Sequence, residues 1–516
     1  MTALLGGGYV ALFAAHLVVV LGLVVWRLRE LGGLWRPAQS LLAAGAGIAL
    51  LAAGLRMAQP VAPQVYFDEF YYLATARNVR TSGTVVALIE RGLPPAPDPR
   101  PAPEPPYPQG WPTLLSLVSG GGYGAAVGLQ RSIGVLTAVA TFAMLAPESL
   151  VAAAFAGGAV AVMPALLRLS QGASAEGASL LFVVLALWGC RSQRFRTGMA
   201  GALLAGALVA LAGHFRPENM LYAVLFLPLA FFRTDASRAQ VAAGVFAWLL
   251  FAAPDVLIMA AGATGPAASD HFEAVPRPGF ATVAENFVAN LIGNLKFLVD
   301  GAVLPFWASL LALLGGVLLW DRGCRLPAAF YAGWIGLFIL ALSPFPFGDF
   351  QTAHSYDTWR FSLQVTLPVI LLGARGLELA PDWARRPLPL VLLAVLMGAA
   401  PLLHGAFITR VHPLAPAWQG IDKLADIARA GIVVTSDERI ALLLREGYGV
   451  RATLGPSTTE MPAGWKVFFL EEDGRVPPGW SKLPLALRAT TGPLILGGIP
   501  GRENATTRLA LYEYNR

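Results

Sequence analysis

"QSLLAAGAGIALLAAGLRMAQPVAPQVYFDEFYYLATARNVR", residues 39–80, joins an apolar run to two adjacent carboxylates, Asp68 and Glu69. The run ends near Gln59 and Pro60 and is long enough to cross a bilayer as a helix. A carboxylate at the centre of such a helix costs roughly 2.5 to 3.5 kcal/mol on insertion scales, so acids beside a span are either in water or functional. The rest of the chain has the same apolar character. Of its 516 residues 56% are hydrophobic and 13% charged, against roughly 25% charged in soluble chains, which marks a polytopic membrane protein. The formal charge of +6 sits in short basic clusters between apolar runs. That is the distribution of arginines holding loops on the cytoplasmic side, and it argues against a nucleic-acid partner. Cys190 and Cys324 are far apart and in no ligand spacing, which argues against a disulfide framework and a zinc site. Met1 to Gly8 carries no basic segment, so the first apolar run reads as a retained span.

About twelve runs of roughly 16 to 22 mostly apolar residues follow the spanning pattern. They lie near 8–27, 39–59, 125–146, 148–167, 175–190, 198–213, 219–232, 239–261, 302–320, 326–343, 361–378 and 387–405. One set of connections is Arg-rich: "WRLRELGGLWR", "CRSQRFRTG", "FRTDASR", "WDRGCR" and "LELAPDWARRP". The positive-inside rule places these in the cytoplasm and the N-terminus outside. The other set is longer and richer in Pro, Gly and aromatics, and shares one external face with Asp68 and Glu69. After Pro413 the pattern changes to short alternating helices and strands. The predicted fold class is therefore an all-α polytopic membrane protein with about twelve transmembrane helices, external interfacial helices and a small C-terminal α/β soluble domain. Residues 1–412 form the membrane part, with external loops near 60–124, 263–300 and 344–360, and residues 413–516 the external domain. "LPPAPDPRPAPEPPYP" (93–108) reads as a stiff proline-rich loop.

Phe70, Leu73 and Ala74 follow helical spacing after the carboxylate pair, which predicts an interfacial helix opening at Asp68. From this window alone the acids are either helix-capping groups or functional carboxylates. "GHFRPEN" adds His214, Arg216 and Glu218 at the outer end of a span, where an arginine either snorkels to headgroups or serves a site. "AHSYDTWRF" adds His354, Tyr356, Asp357 and Arg360, either as an aromatic interfacial belt or as a second arm of that site. A guanidinium forks onto phosphate oxygens, and a carboxylate can take a hydroxyl proton. Glu176 in "SQGASAEGASLL" is either a site acid or part of a helix start, and Ser174 or Ser170 nearby favours helix capping. Asp270, His271 and Glu273 in "SDHFEAVPRPG" either bind a divalent cation or substrate or form a solvated loop, and the lack of clear ligand spacing favours the loop. "NAT" at Asn504 matches a glycosylation acceptor.

Four features together resemble the membrane-embedded C-type glycosyltransferases. They are the "DE" pair in the first large external loop, the helix with "FYYLA", the "PPYPQGWP" element, and "WRFSLQVTLP" leading into a late span. The protein O-mannosyltransferases and the lipid A aminoarabinose and galacturonic acid transferases are the most similar branches, and the resemblance runs over residues 40–405. It implies transfer of a sugar from a polyprenyl-phosphate donor to a lipid, glycan or protein acceptor on the outer face, in a bacterial inner membrane. It further implies Asp68 as acceptor-side base with Glu69 as its partner, and Arg216, Arg360, His354 and Tyr71 on the donor and its phosphate. One span more than the simplest family pattern precedes the "DE" loop. The chemistry fits the residue types, because carboxylates and arginines suffice for an oxocarbenium-like transfer. No cofactor is expected, and a divalent cation is left unassigned. The rivals are a lipid-linked glycan polymerase or ligase, and a transporter using the acids for coupling, which would place them near the bilayer midplane in internal repeats.

Overall fold

Among the described residues five helices are long and apolar enough to cross a membrane: Gly8–Arg27, Gln39–Met57, Gly122–Leu145, Arg238–Leu257 and Arg325–Leu342. They make this an integral membrane protein. The computed structural model describes residues 2–30, 39–61, 68–85, 88–91, 98–101, 109–192, 197–231, 236–264, 280–300, 304, 306–344, 358–381, 391–392, 395, 415–455, 466–472, 485–491, 494–495 and 506–514. The helices of the membrane part are α1 (Thr2–Glu30), α2 (Gln39–Met57), α3 (Asp68–Ser82), α4 (Gly110–Leu115), α5 (Gly122–Leu145), α6 (Leu150–Val162), α7 (Pro164–Arg168) and α8 (Glu176–Arg191). They continue as α9 (Gly198–Gly213), α10 (Tyr222–Phe231), α11 (Arg238–Thr264), α12 (Phe280–Asp300), α13 (Phe306–Asp321), α14 (Arg325–Leu342) and α15 (Leu363–Glu378).

The expectation of about twelve spans is corrected by this structure. Among the described residues five helices qualify, or six if α6 and the bent Pro164–Gln171 segment count as one span. The reason is length. α8, α9, α13 and α15 have 16 residues each, about 24 Å at 1.5 Å per residue against a hydrocarbon core of about 30 Å. Apolarity alone does not separate a span from a short helix buried among its neighbours, and α8 and α15 are buried along nearly their whole length. The expected span at 387–405 falls almost entirely outside the described residues.

Two contacts set the bundle. Gly206 of α9 lies against the backbone of Gly244 in α11, and Gly315 of α13 against Gly376 in α15, so the helix axes approach as small residues allow. A Cβ on Gly315 would stand 2.6 Å from the Leu372 carbonyl oxygen. α6 stops at Met163, and Pro164 starts α7 after a 49° bend. The freed carbonyls of the α6 end are taken up by Arg56 of α2, whose guanidinium donates to Ala161 O at 3.0 Å and Val160 O at 3.2 Å. A buried cation thus meets the negative end of a helix dipole.

Among the described residues the C-terminal part holds α16 (Ala415–Ala428), α17 (Glu438–Leu442) and seven strands. α16 turns Ile421, Leu424, Ala425 and Ala428 inward at helical spacing. Strands β3 (Ile432–Thr435), β4 (Arg451–Leu454) and β5 (Val467–Glu472) are mutually parallel about β3, while β6 (Leu485–Thr490) and β9 (Leu509–Tyr514) complete an antiparallel edge. β7 (Leu494–Ile495) and β8 (Thr506–Thr507) form a separate pair. The β-branched run Ile432, Val433, Val434, Thr435 is buried on both faces, as a central parallel strand requires. A hairpin from the loop after α3, β1 (Leu88–Arg91) and β2 (Asp98–Pro101), extends this sheet in the order β2-β1-β4-β3-β5-β9-β6. Part of the proline-rich stretch is thereby a strand, and it lies at the sheet edge, where proline is tolerated.

Candidate active site

α3 opens at Asp68 and is buried along most of its length, including Glu69, Phe70, Tyr71, Tyr72, Leu73 and Ala74. It is therefore packed into the protein where the sequence predicts an interfacial position. The reason is the C-terminal part: Gly447 approaches the Phe70 ring so closely that a Cβ there would stand 2.8 Å from Cε1, and Arg77 pairs with Glu446 at 2.9 Å.

Adjacent residues on a helix point about 100° apart, so Asp68 and Glu69 cannot share a partner by proximity alone. Asp68 faces Arg360, with Nη1 2.9 Å from its Oδ2. Glu69 is 0% exposed and turns inward. Its Oε2 accepts the Tyr123 hydroxyl at 2.6 Å and the Ala173 N–H at 2.6 Å, and Gly172 leaves it room, since a Cβ there would stand 2.5 Å from Oε1. Glu69 thus ties α3 to α5 and to the segment before α8. Tyr123→Phe is expected to leave this buried carboxylate short of a donor, at about 1–3 kcal/mol. The readout is a lower midpoint of thermal unfolding in detergent, and an unchanged midpoint would show that the tie is not used.

Arg360 lies in the turn Thr358–Ser362 at the start of α15. Besides Asp68, its Nη1 lies 3.4 Å from Glu176 Oε1. The same oxygen accepts Nη1 of Arg216, and Arg216 Nε donates to Glu218 Oε1 at 2.7 Å. The Phe361 ring is flanked by both guanidiniums, Arg216 at 5.0 Å and Arg360 at 5.5 Å from its centroid. Cation–π contact on one ring holds the two arginines side by side. Burial works to raise the Glu176 carboxyl, but Arg216 and Arg360 outweigh it and hold it below the usual carboxylate range. The site is an ion-pair cluster of Asp68, Glu176, Glu218, Arg216 and Arg360 in a partly buried setting.

Its place in the bundle follows from two helices. α8 begins at Glu176, and α15 begins just after Arg360. Both end in a second ion cluster, where Arg191 and Arg375 reach Glu148 Oε2 at 2.7 and 2.6 Å, and Arg375 also reaches Glu378. The two clusters stand at opposite ends of the bundle, about 24 Å apart for 16-residue helices.

Asp68, Arg216 and Arg360 are therefore brought together, Glu69 is set apart from them, and Tyr71 is buried within α3. His354, Tyr356 and Asp357 lie outside the described residues, as do Asp270, His271, Glu273 and Asn504. Glu176 is the residue the sequence undervalues. The N-cap position of α8 is Ala175 and carries no side-chain cap, and Glu176 bridges the two arginines. Its signal is a lone acid among Gly, Ala and Ser ahead of an apolar run on the Asp68 side. A polar chain behind the cluster is also unmarked by motif. The Tyr222 hydroxyl donates to Gln364, whose Nε2 donates to Asn219 Oδ1 at 3.1 Å. His214, two residues before Arg216, is held by His16 at 2.8 Å, by Tyr9 at 3.0 Å and by Asp255. Among the described residues no group of three or more His, Cys, Asp or Glu is arranged to hold a metal ion.

No family model and no curated protein matches the sequence. Solved structures do match. ArnT from Cupriavidus metallidurans in the apo state is 13% identical at a TM-score of 0.52, over 91% of this chain and 97% of that one. The same protein bound to undecaprenyl phosphate gives 14% and 0.51, over 92% and 98%. The oligosaccharyltransferase of Archaeoglobus fulgidus, tethered to an acceptor peptide containing the NVT sequon, gives 14% and 0.51 over 81% of this chain. The match spans only 64% of that enzyme's length. These likenesses show that the chain shares its fold with ArnT and, over part of its length, with the oligosaccharyltransferase.

Proposed function

We propose that the protein is a C-type glycosyltransferase that moves a sugar from a polyprenyl-phosphate donor to an acceptor hydroxyl or amine at the external face of the membrane. The observation that carries this reading is the pairing of Asp68 with Arg360, whose guanidinium shares the Phe361 ring with that of Arg216 at one end of the bundle. The full-length likeness to a protein bound to undecaprenyl phosphate supports the donor class. Asp68 takes the proton of the attacking acceptor as its oxygen or nitrogen bonds to the anomeric carbon. The bond from that carbon to the phosphate oxygen breaks, and its electron pair stays on the phosphate, where Arg216 and Arg360 offset the growing charge. Glu69 acts on the geometry of α3 through Tyr123 and Ala173 and does not touch the acceptor. The transporter reading loses its basis, since the acids occupy helix ends at one end of the bundle.

The test is transfer from radiolabelled polyprenyl-phosphate sugars by the purified protein in nanodiscs. Release of polyprenyl phosphate in step with sugar transfer is the expected result. Hydrolysis-free inactivity toward every donor of this class would remove the reading.

Orientation is part of the proposal, with the Asp68 cluster outside and the Glu148 cluster in the cytoplasm. α13 runs alongside α15 in the same direction, Leu311 against Gly373 and Gly315 against Gly376, so the exposed Cys324 after α13 stands at the Glu148 end. A membrane-impermeant maleimide should label Cys324 in inverted vesicles and leave it unlabelled in intact spheroplasts, while the buried Cys190 stays unlabelled in both. Labelling from outside would reverse the proposed orientation.

A further inference from the structure

The ion cluster has a charge problem that Asp68 and Glu176 solve differently. Asp68, Glu176 and Glu218 against Arg216 and Arg360 leave one negative charge on these five side chains, and a donor phosphate brings another into a poorly hydrated place, where like charges repel strongly. Glu176 is 3% exposed at its side chain and reaches both guanidiniums through one oxygen. Asp68 is 20% exposed and pairs with the outer arginine, Arg360. The Phe361 ring limits how far either guanidinium can travel.

We propose that Glu176 is a positioning residue, the fixed anchor of both guanidiniums, and that Asp68 is the exchangeable partner of Arg360, displaced when the donor phosphate arrives. The inference rests on the glycosyltransferase reading and adds an order of events to it. Before the donor binds, Arg360 neutralises Asp68 and keeps it a weak base. The phosphodiester takes over Arg360, and Asp68 is released toward the acceptor as a stronger base. During transfer Asp68 gains a proton and loses its charge while the departing phosphate gains one, so Arg360 already faces the group where charge grows. Departure of polyprenyl phosphate returns Asp68 to Arg360. The donor therefore binds before a productive acceptor, and the acceptor is not deprotonated at an empty donor site.

The experiment measures affinity of the full-length protein for a polyprenyl monophosphate, with the matching polyprenol as the arm without phosphate. Asp68→Asn is expected to bind the phosphate on the order of tenfold more tightly, and Glu176→Gln on the order of tenfold more weakly, with the polyprenol unaffected by either. Simple removal of negative charge would tighten both variants alike, and that result overturns the division of roles. Unchanged or weaker binding by Asp68→Asn overturns the exchange while leaving phosphate anchoring intact. If the wild type and Arg360→Ala bind phosphate and polyprenol equally, the phosphate reading itself fails. Should Asp68→Asn not fold, a carbodiimide with peptide mapping reads the wild type. Labelling of Asp68 should rise severalfold on adding polyprenyl monophosphate and that of Glu176 should not; no rise at Asp68 overturns the exchange.

Discussion

Asp68→Asn is expected to lower sugar transfer by on the order of a hundredfold to ten-thousandfold, the usual loss when a general base is removed. The amide keeps the size of the side chain and is as good a partner for a helix N-terminus, so folding and membrane insertion should remain close to wild type. Arg360 can still donate to the amide oxygen, which preserves the turn before α15. What is lost is the ability to take the acceptor's proton. The measurement is turnover of a polyprenyl-phosphate sugar by purified protein whose thermal unfolding matches wild type. Near wild-type turnover would return Asp68 to a capping role and withdraw the mechanism. Glu69→Gln should behave differently, because Glu69 accepts the Tyr123 hydroxyl and the Ala173 N–H and so ties α3 to its neighbours. Its loss should appear first in stability.

Arg360→Ala is expected to lower kcat/KM for the donor by about a hundredfold to a thousandfold, the range for removing one donor to a developing oxyanion. The same substitution leaves Asp68 and Glu176 without a shared cation. Arg216 still reaches Glu176, so the cluster is weakened and not abolished. Arg360→Lys should restore only part, since an ammonium cannot span two acceptors with a planar fork or stack on Phe361 in the same way. Donor kinetics unchanged in Arg360→Ala would reduce this residue to an anchor of the α15 turn.

The legible part of the site is the part made of rare residue types in the wrong place. Two acids after a span and arginines at helix ends stand out because a bilayer protein has few charges and each is costly. Glu176 was legible as an acid and not as a partner, since nothing in "SQGASAEGASLL" states that a break at Pro164 swings the segment toward Arg216 and Arg360. Glu69 was misleading in the opposite sense, because sequence adjacency to Asp68 suggests a shared task where helix geometry separates the two directions. Tyr9, His16 and Asp255 were unmarked, each a lone polar residue in a long apolar helix, and they find His214 only when α1, α9 and α11 pack together.

Sequence by itself determined that this chain lives in a membrane and that Asp68, Arg216 and Arg360 stand out as charged residues beside its apolar runs. These are consequences of burial and charge, and such terms act residue by residue and leave a pattern in composition. Only the tertiary structure decided how many apolar runs are long enough to span, that a hairpin from the first loop extends the C-terminal sheet, and that Glu176 joins the arginines while Glu69 holds α3. Those outcomes depend on helix length against neighbours, on strand pairing across hundreds of residues and on the 100° turn between adjacent side chains, none of which any local window contains.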